Sequence, residues 1–204
     1  TPKQMRTKLL LSAAVLGVAG MLTASAPVYS VNVVSYVNLD LVPGFKLIAN
    51  PLDNTTGNDL NTLIPTAEFG AAVYAYDGSN FVPSTYFGTW DPNLELAPGE
   101  GFFIQVSEAT TITFVGEVLQ NADSNMSVPA GLALLGSKVP QAASLDAVGF
   151  PAEFGDVVYF FRGQEYVPSS YFGTFDPEAV PGVGEGFWSL KANAGDWNRD
   201  FQVQ

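Results

Sequence analysis

One long segment of this chain occurs twice, and that duplication constrains the fold more than any other feature. Ala67-Glu68-Phe69-Gly70 recurs as Ala152-Glu153-Phe154-Gly155, and the register then holds without a gap to Phe103 and Trp188. About 20 of these 37 aligned pairs are identical, far more than shared composition produces. Upstream, Val42-Pro43-Gly44-Phe45-Lys46-Leu47-Ile48 matches Val128-Pro129-Ala130-Gly131-Leu132-Ala133-Leu134-Leu135 once one inserted residue is allowed. Each copy spans on the order of 85 residues, the size of a small domain rather than of a solenoid repeat. The expected organisation is a β-domain over 31–120, a polar joint over 121–127 and a second β-domain over 128–204.

Inside each copy the local signals are those of β-structure. Val73-Tyr74-Ala75-Tyr76 and Phe81-Val82 flank Asp77-Gly78-Ser79-Asn80, and in the second copy Val157 to Phe161 and Tyr166-Val167 flank Arg162-Gly163-Gln164-Glu165. Aromatic and β-branched runs around a turn sequence read as hairpins. Gly78 persists as Gly163 while Asp77 becomes Arg162, so the turn requires a positive φ rather than an acid. Further strands are expected at Phe102 to Val106, Thr111 to Val115, Phe187 to Leu190 and Phe201 to Val203. Short helical turns fit Asp59 to Ile64, stopped by Pro65, and Ala142 to Val148, stopped by Gly149 and Pro151. The fold class that follows is mostly β: two tandem homologous β-sandwich or barrel-like domains, each with one short helix, after an N-terminal signal peptide.

The signal peptide is read from Arg6 and Lys8, the apolar run Leu9 to Leu22, and the small residues Ala24, Ser25 and Ala26. Met5 reads as the initiator, with residues 1–4 upstream of it. Pro27 would follow a cut after Ala26 and hinder the peptidase, so cleavage is placed after Ser30, with Val28 as the other recognised residue. A retained anchor is the competing reading, but a spanning helix needs about 20 apolar residues, and Gly17, Gly20 and Thr23 weaken this run. The expected location is therefore secreted, extracellular or on the outer cell surface, with the periplasm as a variant.

Charge and residue content exclude whole classes of function. Lys plus Arg number 8 against 20 Asp plus Glu, a net charge of −12. Removal of residues 1–30 takes three basic side chains and no acidic one, leaving five against 20, or −15. Such a chain repels the phosphate backbone of nucleic acids. There is no His and no Cys, which removes disulfides, thiolate nucleophiles, Cys/His zinc sites and Ser-His-Asp devices. No cofactor or metal is expected.

Four candidate sites remain. Pro98-Gly99-Glu100-Gly101-Phe102-Phe103 recurs as Val183-Gly184-Glu185-Gly186-Phe187-Trp188. A Glu between two glycines suits a ligand or general acid; equally, Gly99, Glu100 and Gly101, like Gly184, Glu185 and Gly186, suit a tight turn whose carboxylate accepts backbone N–H bonds. Retention in both copies favours the turn. Glu100 with Asp91, and Glu185 with Asp176, are the pairs a glycoside hydrolase would use, although Asp91-Pro92 and Asp176-Pro177 also read as turn starters. Tyr86, Trp90, Tyr171 and Phe175 are candidate ligand-binding rings, either an aromatic platform or core packing; Trp90 becomes Phe175, Phe103 becomes Trp188 and Tyr76 becomes Phe161, so rings persist while polar handles are exchanged, which favours packing. Asp53-Asn54-Thr55-Thr56-Gly57-Asn58-Asp59 is rich in oxygen donors suited to Ca²⁺, but it lacks EF-hand spacing and reads better as a loop ending in a helix cap.

The succession Gly44-Phe45-Lys46-Leu47-Ile48-Ala49-Asn50-Pro51, Val73-Tyr74-Ala75-Tyr76-Asp77-Gly78 and Pro98-Gly99-Glu100-Gly101-Phe102-Phe103 resembles a class of exported bacterial proteins and accessory β-modules in which these three motifs recur. The resemblance covers nearly all of 31–204, twice; the second copy departs from it at Gly136-Ser137-Lys138 and at Arg162. It implies a fold family and a non-catalytic part of a surface or secreted protein, and assigns no functional residue. The expected activity is that of a secreted, non-enzymatic structural or interaction protein of the cell surface or matrix, with a carbohydrate-binding module and a carboxylate-pair glycoside hydrolase as alternatives. Polysaccharide or envelope proteins are the expected partners, together with head-to-tail self-association through an open sheet edge.

Overall fold

Strands with two alternating faces build both halves of the chain in one order. A computed structural model describes residues 32–203; the expected signal peptide and its cleavage point lie outside them. The first half contains β1 (Val34–Leu41), β2 (Gly44–Ala49), α1 (Leu60–Leu63), β3 (Ala72–Tyr76), β4 (Phe81–Tyr86), β5 (Trp90–Asp91), β6 (Gly101–Val106) and β7 (Thr110–Glu117). The second contains β8 (Met126–Val128), β9 (Gly131–Leu135), β10 (Val157–Arg162), β11 (Glu165–Tyr171), β12 (Phe175–Asp176), β13 (Phe187–Lys191) and β14 (Gly195–Trp197). The two five-stranded antiparallel sheets run β2-β6-β3-β4-β5 and β9-β13-β10-β11-β12, so the halves share one topology.

In each half the outermost strands form a separate ribbon: β1 pairs with β7 from Val34↔Glu117 to Leu41↔Thr110, and β8 with β14 from Met126↔Trp197 to Val128↔Gly195. Each ribbon packs on its five-stranded sheet in a sandwich-like arrangement. Val37, Leu39, Leu41, Ile112 and Phe114 meet Ile48, Val73, Phe102 and Ile104 in the first core. Val128 and Trp197 meet Leu135, Val158, Phe160 and Phe187 in the second. Burying large apolar side chains in this way contributes roughly 1.5–3 kcal/mol each.

Both hairpin turns use the conserved glycine with positive φ, +96° at Gly78 and +62° at Gly163. The remainder of the turn differs. Asp77 Oδ1 accepts from the N–H groups of Ser79 (2.8 Å) and Asn80 (2.7 Å), whereas Arg162 and Glu165 pair across two residues, Gly163 and Gln164, that both have positive φ.

The smaller elements diverge between halves. Asp59 caps α1, its carboxylate accepting from Thr62 N and Thr62 Oγ1, as the loop reading expects. The corresponding stretch before residue 145 carries no acid, and there the chain makes one turn, Val148 N to Ser144 O at 3.1 Å, before Gly149 takes φ +67°. The strand expected over Phe201 to Val203 reduces to a single bridge between Phe201 and Asn121. Asp200 has φ +41°, and Arg199 and Asp200 both donate to Asn125 Oδ1, which ends extended pairing at β14. The polar joint holds a 3-10 turn, Ala122–Ser124, and the start of β8.

Candidate functional site

The inner strands are apolar on both faces, and the second face explains where the two halves meet. In β6 Phe102 enters the first core and Phe103 points the other way; in β13 Phe187 and Trp188 divide likewise. Leu47, Phe103, Leu134 and Trp188 form a third buried cluster, flanked by half-buried Phe45, Tyr74, Tyr76, Tyr159 and Phe161. Rings from the two halves touch edge to face: Tyr76 and Trp188 at 4.9 Å, Phe103 and Phe161 at 5.3 Å, Phe81 and Trp188 at 5.9 Å between centroids. An antiparallel strand apolar on both faces needs cover on both, and runs such as Val73-Tyr74-Ala75-Tyr76 and Gly101-Phe102-Phe103-Ile104 carry that signal without showing what covers the second face.

The repeated Gly-Glu-Gly turns clasp the two halves reciprocally. Gly136 N donates to Gly99 O (2.9 Å), and at the related position Ala49 N donates to Gly184 O (2.9 Å). Glu100 bridges Leu135 while Glu185 bridges Ile48. The first glycine of each motif has positive φ, +87° at Gly99 and +67° at Gly184. The second leaves room for the opposite half: a Cβ on Gly101 would lie 2.9 Å from Leu135 N and O, and one on Gly186 would lie 2.7 Å from Ile48 O. Each carboxylate seals its own bend, Glu100 Oε2 accepting from Ala97 N and Glu185 Oε2 from Gly182 N, both at 2.8 Å.

Three recesses lie along this seam. The central one, about 360 Å³, is lined by Phe45, Tyr74, Phe81, Phe103, Phe161 and Tyr166. It is open, with Phe81 45% and Tyr166 53% exposed. Its polar side-chain atoms are the Tyr74 and Tyr166 hydroxyls, and its neighbouring rings are tilted or perpendicular, from 48° for Phe45 and Tyr74 to 82° for Phe45 and Phe103. One flanking recess, about 480 Å³, includes Asp77, Glu95 and Glu100; the other, about 590 Å³, includes Arg162 and Glu185. Burial pushes the Glu100 carboxyl above the usual range and the nearby Glu95 adds to that, against the lowering effect of the Ala97 N–H.

The other candidate residues are placed as follows. Trp90 and Phe175 are buried in the two cores, and Tyr86 and Tyr171 pack on them with centroids 5.3 and 5.1 Å apart, so these four rings form no exposed platform. Trp90 Nε1 donates to Ile64 O (2.7 Å), and in the second half Trp197 Nε1 donates to Val148 O (2.8 Å); the indole lost at Phe175 is supplied from another strand. Asp91 and Asp176 sit on the outer-edge strands β5 and β12, three strands from β6 and β13. That is roughly 14 Å at the usual inter-strand spacing, beyond the separation of a glycosidase pair. In the oxygen-rich loop Asp53 Oδ1 accepts from Asn58 and Asn54 Oδ1 from Thr56, and among the described residues no group of three or more acids is placed to hold a metal.

Two exposed phenylalanine pairs recur outside the seam. Phe69 and Phe154 are each 79% exposed, and Phe87 and Phe172 each 60%; within a pair the ring centroids lie 5.1 and 5.4 Å apart. The repeated sequence preserves all four, although none is buried. No family model, curated protein or solved structure matches this chain.

Proposed function

We propose that this is an exported, non-catalytic interaction protein of the cell surface or extracellular matrix, and that it engages a partner protein through the aromatic seam. The observation that carries this reading is the open central recess, lined by six aromatic side chains from both halves. Large apolar surface left exposed and contiguous marks an interaction site, and aromatic anchors dominate protein–protein binding energy. The exposed Phe69/Phe87 and Phe154/Phe172 pairs support the same reading. Export rests on the basic, apolar and small-residue succession of 1–30. Carbohydrate recognition is the weaker alternative, because sugar hydroxyls need several polar partners and the recess offers two phenols.

A photo-crosslinking residue at position 81, compared with one at Val115 on β7, tests this in the native cell envelope. The expected result is a discrete adduct with a different protein at 81, lost when Tyr166→Ser is added, and no adduct with a different protein at 115. Glycan-array binding that disappears with Phe81→Ser, without a protein adduct, would replace this reading with the carbohydrate one. Self-association belongs to the same proposal: among the described residues β1 pairs only with β7 and leaves an eight-residue edge, the kind of edge that joins chains. Light scattering should then show mass rising with concentration, and a strict monomer would remove this part.

A further inference from the structure

The two recesses that flank the aromatic groove are related by the duplication, but only one contains its own cation. In the second half Arg162 is seated on Glu185 with Nε to Oε1 and Nη2 to Oε2, both at 2.7 Å, and Nη2 also reaches Val180 O at 2.8 Å. Its guanidinium lies 4.2 Å from the centre of the Phe160 ring. In the first half the equivalent residues are Asp77, Glu100, Glu95 and Ala75. The arginine is replaced by an acid, a second acid stands where Val180 was, and the ring beneath is reduced to a methyl. Asp77 turns away onto Ser79 and Asn80, so Glu100 keeps the turn-sealing bond that Glu185 also has and lacks the guanidinium that Glu185 holds.

We propose that the first-half recess receives the guanidinium of an arginine side chain from a partner protein, which binds Glu100 as Arg162 binds Glu185. Among the described residues no Lys or Arg lines this recess. Of the chain's five basic residues beyond residue 31, Lys46 is bonded to Asp40 O, Lys138 to Asp123 O, Arg162 to Glu185, Lys191 to Asp156, and Arg199 to Ser137 and Gln141. A second copy would offer the same five described side chains, each already bonded, which favours a different protein as the source. Pro129, Ala130 and Leu132 form an apolar wall facing the acids, which suits the aliphatic stem of arginine while its planar fork meets the carboxylate in two parallel bonds. Glu100 is exposed along the recess, so its carboxylate is open to an incoming guanidinium. The inference stands independently of the aromatic groove, since it uses the other copy as its template.

The test is NMR titration of the 15N-labelled full chain with N-acetylarginine amide, N-acetyllysine amide and agmatine. The expected result is saturable shifts at Glu100 and Gly101 with the arginine amide, weaker ones with the lysine amide, and about tenfold lower affinity in Glu100→Gln, the scale of a lost charge-assisted pair. Arg162→Ala should open the related recess and add a second set of shifts at Gly182 and Glu185. Asp77→Arg should fill the first recess from within and abolish binding; if that variant loses its fold, Glu100→Gln decides alone. Absence of shifts at Glu100, or equal shifts in Glu100→Gln, would overturn the proposal. Agmatine binding more tightly than the arginine amide would overturn the assignment to a protein partner.

Discussion

Asp156 and Lys191 illustrate how far single residues diverge while the frame persists. The first half has Ala71 and Val106 at these positions; the second has an ion pair at 2.6 Å with both side chains almost wholly buried. Desolvation raises the Asp156 carboxyl, but bonds from Lys191, Glu153 N and Ala192 N outweigh it and hold the group below the usual aspartate range. The folded-state value is depressed, so this contribution to stability is fully present above about pH 4, the ordinary aspartate value, and is lost as pH falls through the lower folded value. Asp156→Asn should cost about 3–5 kcal/mol at pH 7 by leaving a buried ammonium without its counter-charge, and its deficit relative to the wild type should shrink in acid urea titrations. The double variant Asp156→Ala/Lys191→Val, which copies the first half, should recover most of the loss. Nothing in the sequence pointed to this pair, because the two substitutions lie 35 residues apart and neither breaks a pattern.

At the scale of elements, hairpins and Gly-Glu-Gly turns were legible because their chemistry is local: a positive φ, an N–H to be satisfied, an extended run. The short edge strands β5 and β12 were not, since two residues carry no periodicity. The role of Gly101 and Gly186 was also hidden, because the backbone they admit belongs to the other half of the chain. Gly101→Ala and Gly186→Ala should each destabilise the protein by about 1–3 kcal/mol, as overpacking does, through contact with Leu135 and Ile48. Glu100→Gln, which retains an acceptor for Ala97 N, should change stability by less than about 1 kcal/mol in the same urea titration.

Across the whole molecule, repetition announced two similar β-units, but not that they would share a buried seam. Period-two strands normally show a polar face; here Tyr74, Phe103, Phe161 and Trp188 fill that face with rings, and their exchange between copies does not reveal what they pack against. The candidate surface arises only when the two sheets come together, so no single copy contains it. The central claim is that the recurring motifs make one co-dependent structure from two copies. Urea unfolding followed separately through Trp90 and Trp197, each as the only tryptophan with the others replaced by phenylalanine, tests this most directly. Coincident midpoints for the two reporters, both lowered by Gly101→Ala, are the predicted result; two separate transitions, with Gly101→Ala moving only the Trp90 signal, would contradict it.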